Sequence, residues 1–216
     1  MTRHQQPSGR NRKQVVVVVG ESVNDREVLI ELTRARLGTA TAGDYTFVQD
    51  KSVHALRDAS GAGLDFRVGK IVSLAKAHAA RQRGTLAGLL VHFDLDQQIG
   101  PQYDQIRSRV ATAFRSGTAA RVALALAAVE TESWLLLYPD AFTAVHAGWK
   151  VPQQQRGKNT ALSPDDPKRM LQRELGKPVY RESDSPAVIR KAMALDLQPL
   201  GSNRSHHDFL TDLTDW

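Results

Sequence analysis

The sequence contains no cysteine. Disulfide bonds, thiolate zinc sites and cysteine nucleophiles are therefore excluded. Long hydrophobic runs are missing too. The longest, Val122–Val129, Val15–Val19 and Trp134–Tyr138, fall far short of the ~20 apolar residues that a membrane helix needs. Near the N-terminus the basic residues are followed by a short apolar stretch that leads into Gly20, Glu21 and Ser22, which does not read as a secretory signal. The expectation is a soluble cytoplasmic protein with no membrane partner. Internal repeats, low-complexity tracts and a Gly-x-x-x-x-Gly-Lys-Ser/Thr phosphate loop are also absent.

What is present is a chain of 216 residues with a formal net charge of +6. That length suits one generous domain, or one domain with an appendage. The charge is unevenly spread. Residues 1–14 carry Arg3, Arg10, Arg12 and Lys13 with no acid, residues 15–149 are balanced, and residues 150–191 carry ten basic against five acidic side chains. A polyanionic partner would find its positive charge on the first and third of these.

Val15–Val19 is the pattern of a strand buried on both faces, as in a parallel sheet. Helical spacing follows over Asn24–Leu37, closed by Gly38. Tyr45–Gln49 reads as a short strand, Lys70–Gly84 as a helix, Leu86–Phe93 as a strand and Gln102–Arg115 as a helix. Arg121–Val129 is ambiguous by period and is read as a strand. Thr131–Tyr138 is read as a short helix stopped by Pro139, and the Gly61 and Gly63 pair as a loop. The alternation predicts an α/β fold with a mostly parallel sheet flanked by helices. Later, Ser163–Pro164 and Ser185–Pro186 mark helix starts, predicting helices over Pro164–Leu175 and Pro186–Leu195, with a last one over His207–Leu213. The division expected is a flexible basic arm (1–14), an α/β domain (15–149) and a basic, small helical C-terminal appendage (150–216).

In such sheets ligands sit beyond the carboxyl ends of the strands. There lie Glu21 after the first strand, Asp94 and Asp96 after Leu86–Phe93, and Glu130 and Glu132 after Arg121–Val129. Residues two apart in extended chain point to one side, so each pair is expected to converge. Singly, each has an ordinary reading: Glu21 as a solvated or capping residue, Glu130 and Glu132 as acids facing a helix dipole. Together they would repel unless a cation sits among them. Mg²⁺, or Mn²⁺, suits an all-oxygen donor set, and the chemistry that fits is metal-assisted attack on a phosphodiester.

VVVVVGES followed by a helix and then LLVHFDLD resembles the Toprim domain of topoisomerases, primases and overcoming-lysogenization-defect nucleases. The stretch VETESWLLLYPDAF is similar to the Glu-x-Trp-Leu-Leu segment of a bacterial Toprim-related family of unknown function, and RloB-like proteins carry an analogous segment in the same relative place. The resemblance covers roughly residues 15–142. It implies a Toprim-like, Rossmann-like fold and a magnesium-dependent nuclease acting on DNA or RNA. Glu21 matches the Toprim acid/base or metal-contacting glutamate, Asp94 and Asp96 the metal-binding pair, and Glu132 the extra acid of the relatives, with Glu130 beside it. It further implies a role in anti-phage defence and a partner ATPase. The usual Glu-Gly order after the first strand is reversed to Gly20–Glu21, and a further acid would have to be Asp25 or Glu27. That reversal keeps a second expectation open, a catalytically degenerate Toprim-like protein that binds nucleic acid or a protein partner.

Other motifs are weaker. The Asp-x-Asp is shared with haloacid-dehalogenase phosphatases, but Gln98 stands in the place of their threonine, and Asp165–Asp166 follow a proline instead of ending a strand. His206, His207 and Asp208 are expected to be solvated and not to hold a metal. Trp134 is expected in the core. Trp149 is expected to pack a connecting loop, with stacking on a base as the alternative.

Overall fold

The computed structural model describes residues 12–51, 55–163 and 166–216. Its centre is a parallel sheet of β1 (Lys13–Val19), β2 (Tyr45–Asp50), β3 (Gly84–Asp94) and β4 (Arg121–Ala127), in the order β2-β1-β3-β4. β1 is an inner strand, hydrogen-bonded along both edges and covered on both faces, which is what its valine run suits. Val15, Val17 and Val19 enter one core, Val16 and Val18 the other. The same alternation settles β4. Val122, Leu124 and Leu126 point to the first core and Ala123, Ala125 and Ala127 to the second, so a segment ambiguous by period is a strand with a bulky and a small face.

Two helices, α2 (Gly61–Arg81) and α3 (Pro101–Gly117), close the first core. The second core is closed by α1 (Val23–Gly43), α4 (Glu132–Leu135), α5 (Pro139–Val145), α6 (Pro167–Glu174), α7 (Ser185–Ala194) and α8 (Arg204–Asp212). The chain beyond residue 150 is helical, as expected, and is built into the sandwich: α7 packs on α1 and α8 on the alanine face of β4. At the chain end Trp216 lies over the sheet at Gly88, where any Cβ would stand 2.4 Å from its ring.

β4 is an edge strand, and an edge leaves amides unpaired. Side chains of α8 pair two amides here. Asp212 Oδ2 accepts from the Leu124 N–H at 2.9 Å and Ser205 Oγ from the Ala128 N–H at 3.0 Å. Arg107 of α3 donates to Asp212 at 2.7 Å and to the Leu124 carbonyl at 2.9 Å, locking helix to strand.

Several element boundaries differ from expectation. α1 runs on to Gly43 through a kink at Gly38, which has φ +75°. Gly61 and Gly63 form the first turn of α2 instead of a loop, because Leu64 and Val68 extend its buried stripe toward the N-terminus. The packing outweighs the low helix propensity of glycine. The single helix read over Thr131–Tyr138 ends at Leu135, and Pro139 opens α5 instead of merely ending what precedes it. α6 starts at Pro167, where Asp166 caps the Arg169 N–H at 2.9 Å; Pro164 and Asp165 lie outside the described residues, as do residues 1–11 of the arm. α8 starts at Arg204, ahead of His207. Among the described residues no helix is long and apolar enough to cross a membrane.

Candidate functional site

A cleft of ≈ 290 Å³ opens beyond the carboxyl ends of β1 and β3, lined among others by Glu21, Asp25, Arg57, His92, Asp94, Asp96 and Lys168. The local chain explains each placement. Gly20, Glu21 and Ser22 form the turn from β1 into α1, and Ser22 caps the helix by accepting the Asn24 N–H at 3.0 Å. Arg26, buried on the first turns of α1, donates to the carbonyls of Gly20 and Glu21 and at 3.2 Å to Gln49. The turn is thus held from below, which leaves the Glu21 side chain exposed on the cleft wall and brings Asp25 toward the strand ends.

β3 ends at Asp94. Leu95 still donates to the Ala127 carbonyl at 2.8 Å, and Asp96 then turns into left-handed backbone, φ +57°. The Asp-x-Asp pair is therefore not extended throughout, yet both carboxylates reach the cleft. They differ in surroundings. Asp96 is exposed and ion-paired with Arg57, whose guanidinium also donates to the Leu95 carbonyl at 3.2 Å. Asp94 Oδ1 is shielded from solvent and has no hydrogen-bond partner. Burial, reinforced by Asp25, Asp96 and Glu130 and opposed by Lys168, pushes the Asp94 carboxyl up to about 8.

The Glu130 and Glu132 pair does not line the cleft. Val129 takes φ +61°, unfavourable for a β-branched residue, and Glu130 and Glu132 fall in the turn and at the start of α4, not on a strand. Glu130 Oε1 stands 3.7 Å from Lys168 Nζ, while its Oε2 is buried without a partner. Burial raises its pKa against the pull of Lys168. Glu132 is buried behind the cleft and does not line it. It accepts from the Tyr180 hydroxyl at 3.3 Å, and burial, opposed by Lys168, pushes it up to about 8. Lys168 joins the two zones: it lines the cleft and also lies 3.2 Å from Glu182. Burial disfavours its charge, but Glu132, Glu130 and Glu182 outweigh that and raise its pKa.

His92 forms the floor. It shares the side of β3 that bears Asp94, two residues on, and is buried. Nε2 lies 2.8 Å from Thr131 Oγ1 and 3.4 Å from Asp94 Oδ1, and Nδ1 lies 3.9 Å from Asp25 Oδ2 with no hydrogen-bond partner. Burial lowers its pKa, against the opposing pull of Asp25 and Glu21.

Glu21, Asp94 and Asp96 thus meet at one cleft with Asp25, Glu130 borders it through Lys168, and Glu132 stands behind. Sequence reasoning missed Arg57, His92, Lys168 and Glu182. The alternation of His92 with Asp94 carried a signal; nothing near Lys168 in the sequence did. Of two further expectations, the packing of Trp149 in a connecting loop is met and the solvation of His206 is not. Trp149 is wholly buried against Phe142, His146 and Tyr180, with its Nε1 donating to the Pro178 carbonyl, so it offers no face to a base. His206, expected in solvent, is buried beside Trp134 and Tyr138, and burial pushes it down to about 4.

The acids of the cleft fit a hard divalent cation by donor chemistry: they offer carboxylate oxygens, and one of these, on Asp94, is buried and unsatisfied, with burial and then the neighbouring acids raising the pKa of that carboxyl. As the side chains stand, no three histidine or acidic groups among the described residues close on a common point. No protein-family model, curated protein or solved structure matches the chain.

Proposed function

We propose that the chain is a Toprim-type nuclease that uses Mg²⁺ or Mn²⁺ to cleave phosphodiester bonds of DNA or RNA. The observation that carries this reading is the buried, unpartnered Oδ1 of Asp94 within a cleft shared by Glu21, Asp25 and Asp96. A carboxylate in that position gains from a cation more than from water. Asp94 and Asp96 would hold the ion, with Asp25 in the place of the further acid and Glu130 at the border. When bound, the ion supplies Lewis-acid polarisation of the phosphoryl group. Glu21, exposed on the wall, is free to exchange a proton with an attacking water or a leaving oxygen. Arg57 and Lys168 add positive charge to the cleft wall, to which a phosphate would be drawn. Glu132, buried on Tyr180, would act on the site electrostatically, through Lys168 and Asp25. Anti-phage defence beside an ATPase is the setting that the resemblance implies.

The test is cleavage of plasmid, single-stranded DNA and tRNA by the purified protein with Mg²⁺ or Mn²⁺. Asp94→Ala should abolish cutting. Cutting that survives both this substitution and chelation overturns the reading.

A second reading has its own support. Arg57 already neutralises Asp96, and Lys168 lies between Glu130 and Glu182. A protein whose acids are compensated by its own cations can bind nucleic acid without cutting it. Salt-sensitive binding that needs no metal and yields no product would favour this degenerate form. The phosphatase reading has less support, since Asp166 is committed to capping α6.

A further inference from the structure

We propose that Arg57 is an exchangeable counter-ion of the cation site: it pairs with Asp96 while the acids hold no ion, and it turns to a phosphate of the nucleic acid when Asp96 turns to the cation. This rests on the nuclease reading above and adds to it a coupling between the two ligands.

Among the described residues, Arg57 and Lys168 are the arginine and lysine side chains that line the cleft. Their commitments differ. Lys168 lies 3.7 Å from Glu130 and 3.2 Å from Glu182, and neither is one of the two acids assigned to hold the ion. Those partners stay in place whether or not a cation is bound. Arg57 is paired through Nη1 with Asp96 itself. Its other carboxylate neighbour, Asp58 at 3.5 Å, has a side chain 76% exposed, so water screens that contact. A cation taken up by Asp96 therefore removes the main partner of Arg57 and sets two positive charges against each other.

The surroundings suit an exchange. Residues 55–58 line the cleft. Arg109 of α3 donates to the Arg57 carbonyl, which holds the main chain while the side chain stays one-third exposed. Nη1 of Arg57 also donates to the Leu95 carbonyl at 3.2 Å, a neutral partner that keeps the guanidinium at the strand end once Asp96 is withdrawn. Asp96 stands in left-handed backbone just past the end of β3, and its carboxylate faces Arg57. A planar guanidinium matches a phosphate with two parallel hydrogen bonds. The partner it gains is the same group that a cation on the acids attracts.

The coupling is reciprocal. Arg57 opposes the cation when no nucleic acid is bound, and the cation frees Arg57 for nucleic acid. An arginine that only pinned its loop would do neither, and its loss would loosen the acids and weaken cation binding.

Two measurements on the full chain test this. The first is Mn²⁺ affinity by calorimetry without nucleic acid, with thermal melting to check folding. Arg57→Gln should bind Mn²⁺ about 5- to 50-fold tighter than wild type, the range that one unit charge exerts from a few ångströms away at a half-exposed site. Arg57→Lys keeps the charge and should stay within about threefold of wild type. The second needs no metal: a fluorescent single-stranded oligonucleotide is titrated in the presence of a chelator and read by anisotropy. Asp96→Asn, which releases Arg57, should bind about fivefold tighter than wild type. Adding Arg57→Gln to Asp96→Asn should cancel that gain. Arg57→Gln with Mn²⁺ affinity equal to or weaker than wild type overturns the proposal. So does an Arg57→Lys variant that matches Arg57→Gln, or an Asp96→Asn gain that persists without Arg57. If Asp94→Ala leaves Mn²⁺ binding unchanged, the nuclease reading itself falls, which separates the two failures.

Discussion

Two polar clusters adjoin β4, and they are finished differently. On the α8 side, Ser205 Oγ accepts from the Ala128 N–H and from Trp134 Nε1 and donates to Asn203, using its whole capacity. Asp212 takes the Leu124 N–H and Arg107. At the strand ends, Asp94 Oδ1, Glu130 Oε2 and His92 Nδ1 are buried and unpartnered. Both clusters bury polar side-chain atoms; the satisfaction is opposite. Most buried polar groups are hydrogen-bonded, since an open one costs free energy. A cluster left open on one side of the same strand, while the other side is closed, is the place where a ligand can repay that cost.

The comparison can be broken most severely at Asp94. Asp94→Ala should remove cation-dependent cleavage altogether, read on plasmid or tRNA, with little loss of folding stability. Ser205→Ala should do the reverse. It leaves two buried donors unpaired, costing about 3 kcal/mol in urea unfolding, with cation affinity unchanged. If both substitutions act on stability alone, the two clusters are the same kind of thing.

A smaller effect tests the electrostatics. Folded Asp94 keeps its proton up to about pH 8, whereas the unfolded chain releases it near the ordinary carboxylate value. Stability present at low pH is therefore lost as pH rises toward the folded value. Asp94→Asn never ionises and escapes this loss. It should stabilise the metal-free protein at pH 8 by about 1 kcal/mol after screening by cleft water, with the gain vanishing toward pH 4. An Asp94→Asn variant no more stable than wild type at pH 8 would mean that neither burial nor the neighbouring acids disfavour the charged carboxylate. The smallest effect concerns the arm. Deleting residues 1–11 removes Arg3 and Arg10 and should flatten the log–log salt dependence of nucleic-acid binding by about 2, leaving cation affinity intact. An unchanged slope would assign the arm no phosphate contact.

Much of the fold was legible because it rests on local pattern. Five valines with no polar interruption identify an inner parallel strand, and acids at strand ends announce where a ligand site would form. The β4 segment was harder, since Arg121–Val129 alternates two apolar sizes and not apolar with polar, a difference visible only once both faces are covered. The first turn of α2 escapes the local pattern, because glycine disfavours a helix there while the packing of Leu64 and Val68 favours it.

Other outcomes depended on residues far apart in the chain. Asp94 and Lys168 influence one another across more than 70 residues of sequence, and no periodicity reports such a pairing. Trp149 and His206 carry the side chains of surface recognition, yet both are buried because α5, α8 and the segment around Tyr180 close over them. Glu130 and Glu132 share the spacing of Asp94 and Asp96, but the left-handed turn at Val129 sends one to Lys168 and the other to Tyr180. By itself the sequence determined the strand order of chemistry along the chain: acid after β1, acids after β3, acids after β4. Only the tertiary structure decided which of them face one cleft, because that choice is made by backbone direction at the strand ends and by the cations that distant segments bring to meet them.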